Sequence, residues 1–343
     1  MRIKLAKIEI LHITDCYDGG VFTAINKIAE EYKSANHSLL FAGHSRVPNV
    51  FARATRFESK NPICRIFQIS KLTKALKVDV IHLHSSRAGA LARVVKPNAK
   101  VIYQPHGVAF VSALWNSPTR WVFREIERFL STRTDLILAV SKFEAIEMER
   151  ISGNCPVLHL PNVSQIQGGN EKKITNFKVV MSGRIAEQKD PEFFAEIARK
   201  CSEIRPEFEF VWIGDGDMKL RNYLESANVR VTGWVTESML TEELETTSCY
   251  LHTAIAEGFP LTILDAARFE IPMLVRRIPH LHGYNLTEFS TAHEASQLLI
   301  RLESNQHYVD SVSEISRAIN DEHTNSNLID TYTRALKLAG VRK

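Results

Sequence analysis

Short apolar runs and amphipathic stretches alternate along most of the 343-residue chain. Residues 8–13 (Ile-Glu-Ile-Leu-His-Ile) predict a strand. Residues 21–32 carry Phe22, Ile25, Ile28 and Ala29 on one face at helical spacing. Further strands are predicted at 38–43, 79–84, 100–103, 136–140 and 157–162. The stretch 163–176 is polar, holds Gly168-Gly169 and reads as a linker. The same rhythm then restarts, with strands at 178–181, 208–213, 229–235, 249–254 and 272–275 and a helix near 327–339. Strands alternating with helices predict an α/β protein of two doubly wound, Rossmann-like domains facing a central cleft. The expected limits are 1–165 and 175–320, with 321–343 as a C-terminal helical segment.

Composition adds little to that picture. Hydrophobic residues make up 44% and charged residues 24%, ordinary for a globular chain, and the net charge of +4 is too small to point to nucleic acid. Its distribution says more. Between Arg46 and Lys77 lie eight basic residues and one acid, Glu58, a surplus of +7 that leaves the remainder slightly acidic. Residues 63–77 set Ile66, Ile69, Leu72 and Leu76 on one side and Arg65, Lys71 and Lys74 elsewhere, a basic amphipathic helix. Such a face can be merely solvated, or it can lie on an anionic membrane surface. Residues 115–130 mix four aromatics with three arginines; most of those aromatics are expected to contact the core. The five cysteines are scattered with no C-x-x-C pair, which fits a reducing compartment. No signal peptide or membrane span is read, so the expected location is cytoplasmic, with peripheral contact on the inner face of the cytoplasmic membrane as an extension.

Candidate chemistry falls in the loops that follow strands. Gly19-Gly20 makes a tight turn or lets backbone approach a ligand. His82 and His84 share a strand face, but no third metal ligand is near in sequence, and they read as strand-end histidines. His106 follows a strand where open α/β sheets bind ligands, or is a plain loop histidine. Ser141 and Glu144 form a capping box, and Asp190-Pro191 opens a helix. Arg184 and Lys189 share one loop and suit a diphosphate, or are a solvated pair. Glu257 and Asp265 bracket a strand-to-helix turn, Glu-Gly-Phe-Pro-Leu-Thr-Ile-Leu-Asp. They are solvated acids, or they hold hydroxyls beside a phosphate at the helix start, a combination that suggests a nucleotide sugar. Asp215-Gly-Asp217 has D-x-D spacing by chance, beside a glycine turn.

Several of these blocks, in order over about residues 8 to 277, resemble the GT4 family of retaining glycosyltransferases. They are the paired glycines, the His106-Gly107 loop, Gly183-Arg184 with Lys189, the Gly214-Asp-Gly run, the Gly233-Trp-Val235 block, and an E-x7-E signature written here as E-x7-D. The family usually has Gly where this chain has Asp190, and Glu where it has Asp265. The resemblance implies a GT-B fold, a last helix that crosses back to the first domain, and glycosyl transfer from a nucleotide sugar with no metal or other cofactor. Glu257 would touch the transferred sugar, and His106 would meet its hydroxyls. Arg184 and Lys189 would hold the diphosphate near Gly19, Gly20, Gly214, Leu261 and Thr262. Val235 would lie near the base and Asp265 near the ribose.

The expectation is therefore a retaining glycosyltransferase. It would move a sugar, from a UDP-sugar in the first instance, to a lipid-linked or polysaccharide acceptor in cell-surface glycan biosynthesis. Two alternatives stand beside it: a non-catalytic nucleotide-sugar-binding partner protein on a GT-B scaffold, and a GT-B-fold sugar-nucleotide epimerase.

Overall fold

The computed structural model describes residues 7–95, 98–112, 115–166, 168 and 176–341. Most of the predicted linker, including Gly169, lies outside the described residues. In chain order the elements begin with β1 (Ile8–Thr14), α1 (Gly19–Glu31), β2 (Ala35–Phe41), β3 (Arg53–Arg56), α2 (Pro62–Leu76) and β4 (Val80–His84). Next are α3 (Ser86–Val95), β5 (Lys100–Gln104), α4 (Ser117–Ser131), β6 (Leu136–Ala139), α5 (Lys142–Glu149) and β7 (Val157–His159). The second run is β8 (Lys178–Ser182), α6 (Pro191–Ser202), β9 (Glu209–Ile213), α7 (Met218–Glu225), β10 (Arg230–Val231), α8 (Glu237–Glu245) and β11 (Cys249–His252). It ends with α9 (Leu261–Arg268), β12 (Met273–Arg276), β13 (Thr287–Phe289), α10 (Ala292–Ser304), α11 (Gln306–Glu322) and α12 (Asn325–Leu338).

The chain divides into two units, residues 1–163 with 324–343, and residues 164–323. The first holds a parallel sheet in the order β3-β2-β1-β4-β5-β6-β7. The second holds a parallel sheet in the order β10-β9-β8-β11-β12-β13. Parallel strands need crossover helices, which cover both faces, so strands such as β4 and β8 are buried along their whole length. Each sheet reverses direction once, between β1 and β4 and between β8 and β11. At such a switch point the loops leaving the two strands diverge and open a crevice at their C-terminal ends.

The last helix, α12, packs on the first sheet. Leu328, Tyr332, Ala335 and Leu336 join Ile10, Val80, Ile102, Leu136 and Leu138 in one core cluster. Burying Leu328 and Leu336 stabilises that attachment by roughly 1.5–3 kcal/mol each.

Two sequence expectations are corrected here. Helix α4 does not turn its aromatics inward. Trp121 is 64% and Phe129 60% exposed, Trp115 just before the helix is 48% exposed, and Phe123 alone of the four packs partly against the core. The reason is electrostatic. Arg93 of α3 is wholly buried over the Tyr103 ring, 3.8 Å from its centroid, and takes Glu127 of α4 as its carboxylate partner at 2.8 Å. An unpaired buried guanidinium would be far costlier than exposed apolar surface, so Glu127 faces in and the aromatics face out. Arg65 likewise leaves the basic face: it is buried, stacks over Phe57 at 4.7 Å and donates through Nε to the Ser59 carbonyl at 2.8 Å.

Candidate active site

In the second unit, the switch point sets the loop after β8 beside the loop after β11. Several bonds tie them together. The Gln188 amide donates to the Ala256 carbonyl (2.6 Å), the Ile255 N–H to the Gln188 carbonyl (3.0 Å), and the Thr253 hydroxyl to the Lys189 carbonyl (2.9 Å). The stitching brings the Lys189 ammonium into an ion pair with Glu257. Both side chains are mostly buried, 15% and 12% exposed. Burial opposes the charge on Lys189, but Glu257 and Tyr250 outweigh it, and its pKa is raised. Arg184, one loop position after Gly183, is exposed and makes no ion pair or hydrogen bond with any described residue.

Helix α9 begins at Leu261, directly after this loop. Its N-cap is Pro260, which offers no side-chain acceptor, and its first turn holds no acid. The opening N–H groups are thus left without a side-chain cap, which suits an anion. Thr262 Oγ1 in that turn is buried beside the Tyr250 hydroxyl without completing a hydrogen bond. Asp265, one turn further, accepts from the Ser164 hydroxyl at 2.7 Å, and burial pushes its carboxyl up to about 6.

Asp190 explains why glycine suits its position: its backbone is left-handed, φ 51°. The side chain compensates by accepting from the Phe193 N–H, capping α6 with Pro191 in the first turn, and by pairing with Arg276 at 2.5 Å. Gly214 has a local reason as well. Its φ is +137°, and a Cβ there would lie 2.2 Å from the Gly183 carbonyl oxygen. Asp217 caps α7, accepting from Lys219 and Leu220, while Asp215 pairs with Arg221 at 3.2 Å, so both acids of the D-x-D are structural. Val235 lines a polar groove of about 510 Å³ with Lys178, Glu209, Arg230 and Glu243.

In the first unit, Gly19 and Gly20 form the exposed first turn of α1, not a turn before it. Gly19 has φ +55°, and a side chain would find open space but not the right backbone. Asp18 precedes them. Burial would raise its pKa, but hydrogen bonds from the Ser45 side chain and the His44 and Ser45 N–H groups hold it below the usual range. His106 is half-buried just past β5, and burial lowers its pKa to about 3. Its loop is anchored by Glu144, which accepts from the Gly107 N–H (2.7 Å) and the Val140 N–H (3.0 Å). Burial raises the Glu144 carboxyl to about 7. The sequence marks Glu144 only as a cap for α5; its hold on Gly107 joins residues 37 positions apart, and no local pattern carries it.

Neither His82 nor His84 stands at an open edge. Both are fully buried, and β1 supplies a third imidazole, His12, that no local spacing announced. Nitrogens of these three rings lie within 4.8 Å of one another.

Two switch-point loop sets, one per sheet, with paired cation and carboxylate beside an uncapped helix define a class of group-transfer protein with the GT-B fold. Sucrose-phosphate synthase from Thermosynechococcus elongatus superposes with a TM-score of 0.81 over 98% of this chain and 100% of that one, at 12% identity. HepE of Anabaena, solved in complex with UDP, gives 0.78 over 97% and 100%, at 15% identity. The family described as "Glycosyl transferases group 1" matches residues 176–317, and the "Glycosyl transferase 4-like domain" matches 19–162. The chain belongs to this GT4, or group 1, family and is a glycosyltransferase. An "Uncharacterized 41.2 kDa protein in cps region" of Klebsiella pneumoniae is 25% identical over 96% of this chain and 99% of its own length. The O-antigen biosynthesis glycosyltransferase WbnH of Escherichia coli is 26% identical over 77% and 79%. A UDP-Gal:alpha-D-GlcNAc-diphosphoundecaprenol alpha-1,3-galactosyltransferase of Escherichia coli is 28% identical over 62% and 61%.

Proposed function

We propose that this protein is a retaining glycosyltransferase that moves a sugar from a UDP-sugar to a lipid-linked or polysaccharide acceptor during cell-surface glycan biosynthesis. The observation that carries the reading is the Lys189–Glu257 pair beside the uncapped start of α9, with Arg184 unpaired in the same loop. Breaking the anomeric C–O bond leaves a nucleoside diphosphate with growing negative charge. Arg184, Lys189 and the first N–H groups of α9 are the preorganised positive groups that stabilise it, and such electrostatics are often the largest catalytic contribution. The reading uses no metal. Glu257 serves the transferred sugar, Asp265 the ribose hydroxyls, and His106 the sugar hydroxyls. One relative named for O-antigen biosynthesis and one named for a diphosphoundecaprenol-linked sugar support the acceptor class.

The test is a thermal-shift panel of UDP-, GDP-, ADP-, dTDP- and CMP-sugars on wild type and Arg184→Ala. A ligand at a hundred times its Kd adds about 2.7 kcal/mol, several degrees for units of this size. A response to UDP-sugars alone that Arg184→Ala loses supports the donor and the diphosphate site. Binding without transfer to any acceptor favours the non-catalytic scaffold, and acceptor-independent conversion of the sugar favours the epimerase.

A membrane-facing role belongs to the same proposal. Helix α2 exposes Ile63 (63%) and Phe67 (71%), one turn apart, flanked by exposed Lys60, Lys71, Lys74 and Lys77. Helix α4 exposes Trp121, Val122, Ile126 and Phe129 beside Arg124 and Arg128, and both helices flank α3. Apolar side chains ringed by cations fit an anionic lipid surface on the cytoplasmic side. Among the described residues no helix is long and apolar enough to cross a membrane. Equal co-sedimentation with phosphatidylglycerol and phosphatidylcholine vesicles at low salt would sink the electrostatic part.

A further inference from the structure

Four histidines of the first sheet are joined end to end. His37 Nε2 lies 2.9 Å from the Tyr32 carbonyl oxygen, and His37 Nδ1 lies 2.9 Å from His12 Nε2. His12 Nδ1 lies 3.0 Å from His84 Nε2, and His84 Nδ1 lies 2.9 Å from His106 Nε2. The rings come from β2, β1, β4 and the loop after β5, adjacent in the sheet order. Parallel register sets them in line: His12 pairs with His82 across β1 and β4, and Leu39 with His12 across β2 and β1. Consecutive rings meet edge to edge with their planes within 23–28° of each other, and their centroids lie 5.2 Å apart for His37 and His12, 5.3 Å for His12 and His84, and 5.2 Å for His84 and His106.

The chain has one consistent proton arrangement. A carbonyl oxygen only accepts, so the Tyr32 end requires the proton of His37 on Nε2. A neutral imidazole carries one N–H, which leaves His37 Nδ1 as an acceptor and forces the proton of His12 onto Nε2. The same step repeats through His84 to His106. Four neutral rings thus supply one proton to each of four hydrogen bonds. Burial holds all four below their ordinary pKa, so they are neutral near pH 7. The carbonyl end also excludes a proton relay in the outward sense, since no group there can take a proton onward.

We propose that His84, oriented in turn by His12 and His37, is a positioning residue that holds His106 as its Nε2–H tautomer and presents His106 Nδ1 as a bare acceptor for a sugar hydroxyl. Nδ1 of His106 has no hydrogen-bond partner among the described residues. Its role toward a sugar rests on the glycosyltransferase reading above; the tautomer chain does not. A metal held by His12, His82 and His84 is the competing use of the same rings. The geometry favours the chain, because both nitrogens of His12 and of His84 are already engaged, and His82 alone has a ring nitrogen, Nε2, without a partner.

The experiment is two-bond ¹H–¹⁵N correlation of the full chain labelled with ¹⁵N-histidine at pH 7.5, with His106 assigned by loss of its signals in His106→Gln. His37, His12, His84 and His106 are each expected as a single Nε2–H tautomer. An Nδ1–H tautomer at any of them overturns the chain. So does one equivalent of metal retained on purification whose removal by EDTA shifts the His12 and His84 nitrogens. Function is read separately with His84→Phe and His84→Asn, whose amide oxygen replaces the acceptor Nδ1. His84→Phe is expected to lower kcat about tenfold, the scale of one lost hydrogen bond, at unchanged donor KM, while His84→Asn stays within about threefold of wild type. Wild-type kcat in a folded His84→Phe overturns the positioning role. No transfer by wild type with any nucleotide sugar, alongside the expected tautomers, defeats the functional reading and leaves the chain standing.

Discussion

Acidification is expected to unfold the first unit far more steeply than an ordinary carboxylate count would. His12, His82 and His84 are wholly buried, and desolvation puts each well below its ordinary 6.5. Folded, they stay neutral; unfolded, they take a proton below about pH 6.5. The unfolded state then binds more protons, so their stabilisation is complete above the unfolded pKa and is lost as pH falls below it. Each contributes about 1.36 kcal/mol per pH unit, and His106, lowered to about 3 by burial, adds as much, so the four give about 5.4 kcal/mol per unit. Glu144 works the other way. Its carboxyl, raised to about 7, keeps a proton that the unfolded chain gives up near 4.5, so acidification through that window returns about 1.4 kcal/mol per unit. The net slope is about 4 kcal/mol per pH unit between roughly pH 6 and 4.5, or about 6 kcal/mol in total, against a whole stability on the order of 5–15 kcal/mol. Urea unfolding at several pH values checks it, read by hydrogen-exchange pulses at one fixed pH on the peptide spanning β4, which reports the first unit alone. His12→Gln should reduce the slope by about 1.4 kcal/mol per unit. A flat profile in wild type, or an unchanged slope in the variant, would refute the reasoning.

Other outcomes follow from the second unit and from α4. Glu257→Gln frees Lys189 from its carboxylate, so UDP should bind several-fold tighter by calorimetry, roughly 1 kcal/mol, while sugar transfer is lost; weaker UDP binding would contradict the assignment of Lys189 to the diphosphate. Asp190→Gly relieves a left-handed aspartate as it removes the cap, whereas Asp190→Ala removes the cap and keeps the strain. The glycine variant should therefore be the more stable of the two by about 1 kcal/mol in urea melts, and equal stabilities would count against the strain. Trp121→Ala with Phe129→Ala removes exposed apolar surface from α4, so it should weaken binding to phosphatidylglycerol vesicles without lowering Tm; a fall in Tm of several degrees would mean those rings are packed.

The order of strands and helices was legible in the sequence because parallel α/β units alternate apolar runs with amphipathic ones, and both signals are local. The loops holding Arg184, Lys189 and Glu257 were legible for the same reason: each follows a strand and opens a helix. The cap at Asp190 and Pro191 is local too. What the sequence alone could not decide is contact across strands and helices. Lys189 meets Glu257 because β8 and β11 are neighbours at a switch point, 68 positions apart in the chain. Glu127 faces inward because Arg93, on another helix, needs a carboxylate, and that overrides the amphipathic pattern of α4. His37, His12, His84 and His106 form one chain because parallel register aligns four separate segments. Periodicity tells which face of an element is buried. Only the tertiary structure decides which buried groups meet, because burial leaves each polar atom to find its partner wherever the fold puts one.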